Sequence, residues 1–340
     1  MADKNKKSND FNMPVLAVAP MMDWTDRHCR ALHRRISANA LLYTEMVTSP
    51  ALVRGQALHL LAHGGEHPHA LQLGGSDPDE LAQAARLGEE AGYDEINLNC
   101  GCPSDRVQSG TFGAVLMRDA PRVADCVAAM AGAVTMPVTV KCRIGVDEQE
   151  PREVLPDFID RVTRAGAHHV IVHARKAWLQ GLSPKENRDI PPLDYDLVRD
   201  MRRAFPDIRL SVNGGIDTLE DVKGLLRDGF DGVMVGRAAY HAPMDILGAA
   251  DAEIWGQGTP ARAEDVVRAM FGHIEDHLAA GGRLNQVTRH MLGLFAGRPG
   301  ARGWRRLLSE EAHAPGAGIE VLERALARIP PMGDALPRAV

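Results

Sequence analysis

Residues 209–238 read Arg-Leu-Ser-Val-Asn-Gly-Gly-Ile-Asp-Thr-Leu-Glu-Asp-Val-Lys-Gly-Leu-Leu-Arg-Asp-Gly-Phe-Asp-Gly-Val-Met-Val-Gly-Arg-Ala. Two short apolar runs, at 209–212 and 232–235, bracket a segment at 218–228 that Asp217 opens and Gly229 closes. The runs are too short for helices and rich in Val, so they read as buried strands. The middle segment has an acid at its start and a glycine just past its end, the punctuation of a helix. The stretch is therefore one strand–helix–strand unit of a parallel sheet.

Six further apolar runs, at 15–19, 41–43, 70–73, 95–98, 137–140 and 169–172, repeat the pattern. Helical segments separate them, among them 79–91, closed by Gly92, and 157–165, closed by Gly166. Eight strand–helix units over roughly 250 residues predict an α/β fold, a (β/α)8 TIM barrel. The barrel is expected at residues 13–255, after a polar, Lys- and Asn-rich tail at 1–12. Beyond the Gly- and Pro-containing link at 255–260 the strand signal stops. Val266, Val267, Met270, Phe271, Ile274 and Leu278 share one helical face, and residues 319–329 repeat that spacing. A small C-terminal helical domain at 260–335 is the expectation.

The 340 residues are 45% hydrophobic, which supplies enough apolar material for a core and excludes a mainly disordered chain. No apolar run approaches the ~20 residues of a spanning helix, and no secretory signal is read at the start. Five scattered cysteines, an odd number, fit a reducing, cytoplasmic setting rather than a disulfide scaffold. A net charge of -6 argues against unspecific nucleic-acid binding by the whole molecule, and neither DNA, membrane nor an obligate protein partner is read as a partner. The charge is uneven, however. Residues 260–340 carry 11 Arg and no Lys against 9 acids, and between Arg283 and Arg306 six Arg occur with no acid at all.

A barrel of this kind places its chemistry at the C-terminal ends of its strands. One step past each run stand Pro20-Met21-Met22, Glu45, Asn99, Lys141, His173, Asn213 and Gly236-Arg237, with Gln72 close by in the third run. Asn213-Gly214-Gly215 and Gly236-Arg237 follow strands 7 and 8, the usual phosphate site of the fold, so a phosphate-bearing ligand is expected. Lys141 in the mouth calls for an anionic partner, and a reduced flavin is one such group. Met21 and Met22 would floor its ring and Gln72 would hold its polar edge. Residues 97–104 read Asn-Leu-Asn-Cys-Gly-Cys-Pro-Ser. Two cysteines one residue apart are weak metal ligands without a second pair. On residue chemistry alone Cys102 is either a packed thiol or a general acid, since an ordinary thiol keeps its proton at neutral pH; Cys100 reads as packing. His59, His63, His67 and His69 share no helical face, and no metal site is read there or elsewhere.

Residues 19–26 (Ala-Pro-Met-Met-Asp-Trp-Thr-Asp), 97–104, 140–145, 172–177, 211–216 and 235–240 together resemble the tRNA-dihydrouridine synthases, and within them the A-type bacterial branch. The likeness runs over about residues 13–330, with 182–193 and 290–306 resembling segments particular to that branch. It implies FMN held by Pro20, Met21, Met22, Gln72, Lys141, His173, Asn213, Gly214, Gly215, Gly236 and Arg237. It implies NADPH-dependent reduction of the uracil 5,6 double bond at tRNA positions 20 and 20a, with Cys102 protonating C5. Asn99, with Arg143, would hold the uracil edge. Lys185, Asn187, Arg188, Arg302 and Arg305 are the expected tRNA contacts, which would account for the Arg-rich stretch. The competing expectation is an FMN enzyme acting on a free pyrimidine, dihydroorotate dehydrogenase-like, which has no use for that stretch.

Overall fold

In the computed structural model, which describes residues 13–104 and 112–331, eight parallel strands close into a barrel in sequence order. They are β1 (Val15–Val18), β2 (Leu41–Thr48), β3 (His69–Gly74), β4 (Glu95–Cys100), β5 (Val138–Arg143), β6 (His169–His173), β7 (Arg209–Asn213) and β8 (Gly232–Val235). Around them run α1 (Arg27–Ile36), α2 (Pro78–Glu90), α3 (Ala120–Ala133), α4 (Pro151–Arg164), α5 (Tyr195–Ala204), α6 (Leu219–Arg227) and the short α7 (Arg237–His241). The predicted tail at 1–12 and the last residues of the predicted helical domain, 332–335, lie outside the described residues.

The opening stretch folds as read. Thr218 caps α6 through a reciprocal pair in which its side chain accepts from the Asp221 backbone and the Asp221 carboxylate accepts from the Thr218 backbone. The barrel closes by pairing β1 with β8, Val15 opposite Gly232. A Cβ at Gly232 would lie 2.3 Å from Ser211 Oγ, so glycine is what lets the neighbouring strands approach there.

Strand alternation sorts the core into two layers. Ile96, Leu98 and Cys100 of β4 face outward into the apolar layer shared with the helices. Inside, Ala17, Ala19, Tyr43, Ala70, Ile171 and Met234 form a small apolar plug. Above the plug the interior turns polar.

Three elements differ from the sequence expectation. Helix α4 starts at Pro151, capped by Glu150, rather than at 157. Pro156 is the sixth residue of the helix and offers no N–H to the Arg152 carbonyl; read in isolation it looks like a start signal. Strand β2 runs to Thr48, so Glu45 lies within it and not beyond it. A register shift between Tyr43 and Met46 interrupts its pairing with β3, and Thr44 Oγ1 fills the gap by accepting from the Gln72 backbone at 3.0 Å. Between β2 and β3 only a short helix (Ser49–Val53) and a 3-10 turn (Leu58–Leu61) stand where a full helix was expected.

After α8 (Pro243–Leu247) and α9 (Ala250–Trp255) come α10 (Ala263–Ala269), α11 (Phe271–Ala279), α12 (Leu284–Thr288), α13 (Ala301–Glu311) and α14 (Ile319–Leu326). The single helical face expected from Val266 to Leu278 is divided between α10 and α11 by a break at Met270. Fully buried Trp304 anchors this region, its ring edge-on to Phe295 and its Nε1 donating to the Met291 carbonyl at 3.0 Å. The helices share their apolar core with the barrel's helix layer.

Candidate active site at the barrel mouth

The strand ends open on one cavity of about 690 Å³. A hydrogen-bonded ladder inside the barrel builds its floor. Tyr43 OH and Thr139 Oγ1 both donate to Glu95 Oε1, at 2.5 and 2.6 Å. Asn97 Nδ2 donates to Thr139 Oγ1 at 2.9 Å, Gln72 Nε2 to Asn97 Oδ1 at 2.8 Å, and Asn99 Nδ2 to Gln72 Oε1 at 2.8 Å. At the top, Asn99 Oδ1 accepts from the backbone N–H groups of Gly101 and Cys102, both at 3.0 Å. Each rung fixes the amide orientation of the next, because the Thr139 hydroxyl, its proton given to Glu95, accepts from the Asn97 amide. The ladder thus ends by clamping the backbone of Cys102 at the cavity wall.

Arg143 ties this loop to its neighbours. Its Nε donates to the Gly101 carbonyl at 3.2 Å, and its Nη1 to the Lys176 and Asn187 carbonyls at 3.1 and 2.8 Å. Burial pulls its guanidinium down to about 10. Lys141 donates to Asn213 Oδ1 at 3.0 Å, while Asn213 Nδ2 donates to the Met234 carbonyl at 2.7 Å. Burial, reinforced by Arg143, pulls the Lys141 ammonium down to about 8. Burial and the surrounding cations hold His173 well below its ordinary value, so its ring is neutral at pH 7.

Five cations, Lys141, Arg143, Arg175, Arg188 and Arg237, line the cavity against two acids, Asp189 and Asp217. Gly214 and Gly215 have φ of 110° and 66°, a turn that side chains resist. A Cβ at Gly214 would meet His173 Cδ2 at 2.5 Å. Lys141 forms no ion pair among the described residues, so a partly buried ammonium here lacks a counter-charge. This donor set fits a planar, phosphate-bearing anion.

The structure brings together in one lining Pro20, Met21, Met22, Gln72, Asn99, Cys102, Lys141, Arg143, His173, Asn213, Gly214, Gly215, Arg188, Gly236 and Arg237. Cys100 is fully buried in the outer layer, and burial pushes its thiol well up, as packing requires. Arg237 donates to Asp189 Oδ1 at 2.7 Å, a carboxylate partner the sequence reading did not foresee. Asn187 is a correction. It is fully buried, its Oδ1 accepts from the Trp178 backbone at 2.7 Å, and its Nδ2 donates to the Trp178 and Leu182 carbonyls. It staples its loop from within and presents nothing to an RNA.

Lys185, Arg302 and Arg305 are exposed and outside the cavity lining. The acid-free stretch is also less unpaired than it reads. Arg289 donates to Asp26 at 2.6 Å, Arg298 to Glu264 at 2.6 Å and Arg306 to Glu310 at 2.9 Å, leaving Arg283, Arg302 and Arg305 without an ion pair among the described residues. The sequence reading missed Trp24, Met46 and Asp189, all in the lining. Trp24 stacks on Tyr240 at 4.5 Å, and Tyr240 OH lies 3.1 Å from His290 Nδ1. His290 Nε2 lies 3.1 Å from Asp26 Oδ2, so the loop after β1 is fastened to the helical region. The signals for Trp24 and Asp189 were their places in the 19–26 and 182–193 segments; Met46 carried none.

A parallel barrel whose mouth joins a loop-borne thiol, a partly buried lysine without an ion pair among the described residues and glycine turns after its last two strands defines a barrel enzyme acting with a phosphate-bearing cofactor. Residues 17–329 match the family model described as dihydrouridine synthase, and the chain belongs to that family of flavin-dependent enzymes reducing uridine in tRNA. It is 59% identical over 312 residues to the tRNA-dihydrouridine(20/20a) synthase of Escherichia coli K12, covering 91% of this chain and 90% of that one. Proteins of the same description from Shewanella oneidensis and Vibrio parahaemolyticus are 56% and 54% identical, covering 95% and 93% of this chain and 96% and 97% of theirs.

Proposed function

We propose that the chain reduces the 5,6 double bond of uridine at positions 20 and 20a of the tRNA D-loop, with FMN as its flavin, NADPH as reductant and Cys102 as proton donor. The observation that carries this reading is the clamped Cys102 loop standing over the same cavity as the uncompensated Lys141. The chemistry supplied by the bound flavin is hydride transfer to C6 of the base.

The chain's own residues do the rest. Lys141 supplies positive charge for an anionic ring edge, and Asn213 holds it in place. Pro20, Met21 and Met22 give an apolar wall. Gln72 keeps one N–H and one lone pair beyond its ladder bonds for a polar edge. Gly214, Gly215, Gly236 and Arg237 hold the phosphate, with Arg237 exchanging Asp189 for it. Neutral His173 packs against the Gly214 turn. Cys102 transfers its S–H proton to C5 and regains one from solvent. Asn99 spends its oxygen on the loop and keeps one N–H for the base.

A uridine withdrawn from folded tRNA costs a few kcal/mol of lost stacking, to be offset by backbone contacts. Lys185 and Arg188, with Arg302 and Arg305 on α13, provide them. Five free thiols agree with a reducing, cytoplasmic setting. The test is a visible spectrum of the purified protein, followed by NADPH and then unmodified tRNA. Flavin bands that bleach with NADPH and return on adding tRNA are expected; reoxidation by a free pyrimidine and not by tRNA would overturn the reading.

A further inference from the structure

At the opposite end of the barrel from the mouth, two histidines and a carboxylate meet in an arrangement the activity does not use. His67 lies on the link into β3, His69 is the first residue of β3, and Asp94 stands just before β4. His67 Nδ1 is 2.8 Å from Asp94 Oδ2, and His69 Nδ1 is 3.2 Å from the same oxygen. The three ligand atoms all lie within 4.8 Å of one another.

His69 is the telling member. Its side chain is fully buried; Nδ1 faces only the Asp94 carboxylate, and Nε2 has no hydrogen-bond partner among the described residues. A buried polar atom without a partner is costly, and in native proteins it calls for a ligand, a water or an ion. His63, 4.5 Å away between ring centres, does not supply one. Its Nε2 is 2.7 Å from the Ala91 carbonyl, and its Nδ1 accepts from the Gly65 backbone at 3.1 Å. His67 and Asp94 are 53% and 41% exposed, which leaves a path from solvent.

We propose that His67, His69 and Asp94 form a binding site for a first-row divalent transition ion of the zinc type. Two imidazoles and one carboxylate are the donor set such ions take, with solvent completing the shell. Asp94 already bridges toward both rings, and its Oδ2 also accepts from the His69 backbone at 2.8 Å, so one ligand is oriented by the fold. The ion would join the 63–68 link to the start of β4, a face of the barrel that bears on stability and not on chemistry.

The test is Zn²⁺ titration of the flavin-loaded, full-length protein by calorimetry and by metal analysis after dialysis, with thermal unfolding in parallel. Wild type is expected to take up one Zn²⁺ per chain and to melt at a higher temperature with it. His67→Ala and Asp94→Asn, each changing an exposed side chain, are expected to weaken uptake by at least about 100-fold while flavin content and tRNA reduction stay unchanged. No stoichiometric uptake by wild type, or uptake unaltered in both variants, would overturn the proposal.

Discussion

Among the described residues, Cys102 is held by its backbone and not by its sulfur. Its amide donates to Asn99 and its carbonyl accepts from Ala114 at 2.9 Å, so the side chain can be changed without loosening the loop. Cys102→Ala is therefore expected to retain flavin and to oxidise NADPH normally, while uridine reduction falls by about 10²–10⁴-fold, the usual worth of a positioned proton donor. Single-turnover reoxidation by tRNA measures this directly, and an unchanged rate would remove Cys102 from the role. Lys141 gives a pH prediction. Its pKa is about 8 in the fold against 10.5 for an ordinary lysine, so between those values the unfolded chain holds more protons. Stability of the unliganded protein from this group therefore rises with pH across that window. An anion held by the ammonium behaves in the opposite sense. FMN affinity is expected to weaken above pH 8 by up to about tenfold per pH unit, and Lys141→Met to weaken binding and flatten that dependence. Fluorescence titration of FMN from pH 7 to pH 9.5 decides it.

Among the elements, α13 shows how a pattern in sequence becomes a surface. Ala301, Trp304, Leu307 and Leu308 are buried, which turns Arg302 and Arg305 outward together. Replacing both with Ala is expected to weaken tRNA binding and to reduce the slope of log affinity against log salt by up to about 1.4–1.8, leaving flavin content untouched. An equal slope in filter binding would place the RNA elsewhere. The β4–β5 pair shows the reverse relation. Asn97, Asn99 and Lys141 were visible as polar residues in otherwise apolar runs. That Asn99 spends its oxygen on the Cys102 loop depends on the Gln72 amide beneath it, which comes from a different strand.

Over the whole molecule, buried neutral histidines set the response to acid. Burial holds His33 and His169 at about 3 and His173 well below its ordinary value, against 6.5 in an unfolded chain. Between about 3 and 6.5 the unfolded state binds more protons, so stability rises with pH in that window and is lost as pH falls through it. Asp26, lowered by His290 and Arg289 against the opposing effect of burial, adds stability present above 3.8 and lost below it. Thermal unfolding is expected to move to lower temperature from pH 7 to pH 5, and His169→Gln to shrink that shift. A melting temperature independent of pH over this range would contradict the assignment.

By itself the sequence determined the barrel, because strand and helix periods, caps and closing glycines are local properties repeated eight times. It also pointed to much of the ring of residues at the mouth, since position at a strand end follows from the same count, though that count does not reach Met46 or Asp189. The tertiary structure alone decided which of them are free to act. Asn187 reads like its polar neighbours, yet folds inward and is consumed by its own loop. Arg289 and Arg298 look unpaired along the chain, but Asp26 and Glu264 reach them through space. His67 and His69 share no face in one dimension, and only the pairing of β3 with β4 sets Asp94 beside them. Partners separated by tens or hundreds of residues leave no trace in a local pattern, and charge and hydrogen bonding are settled between exactly such partners.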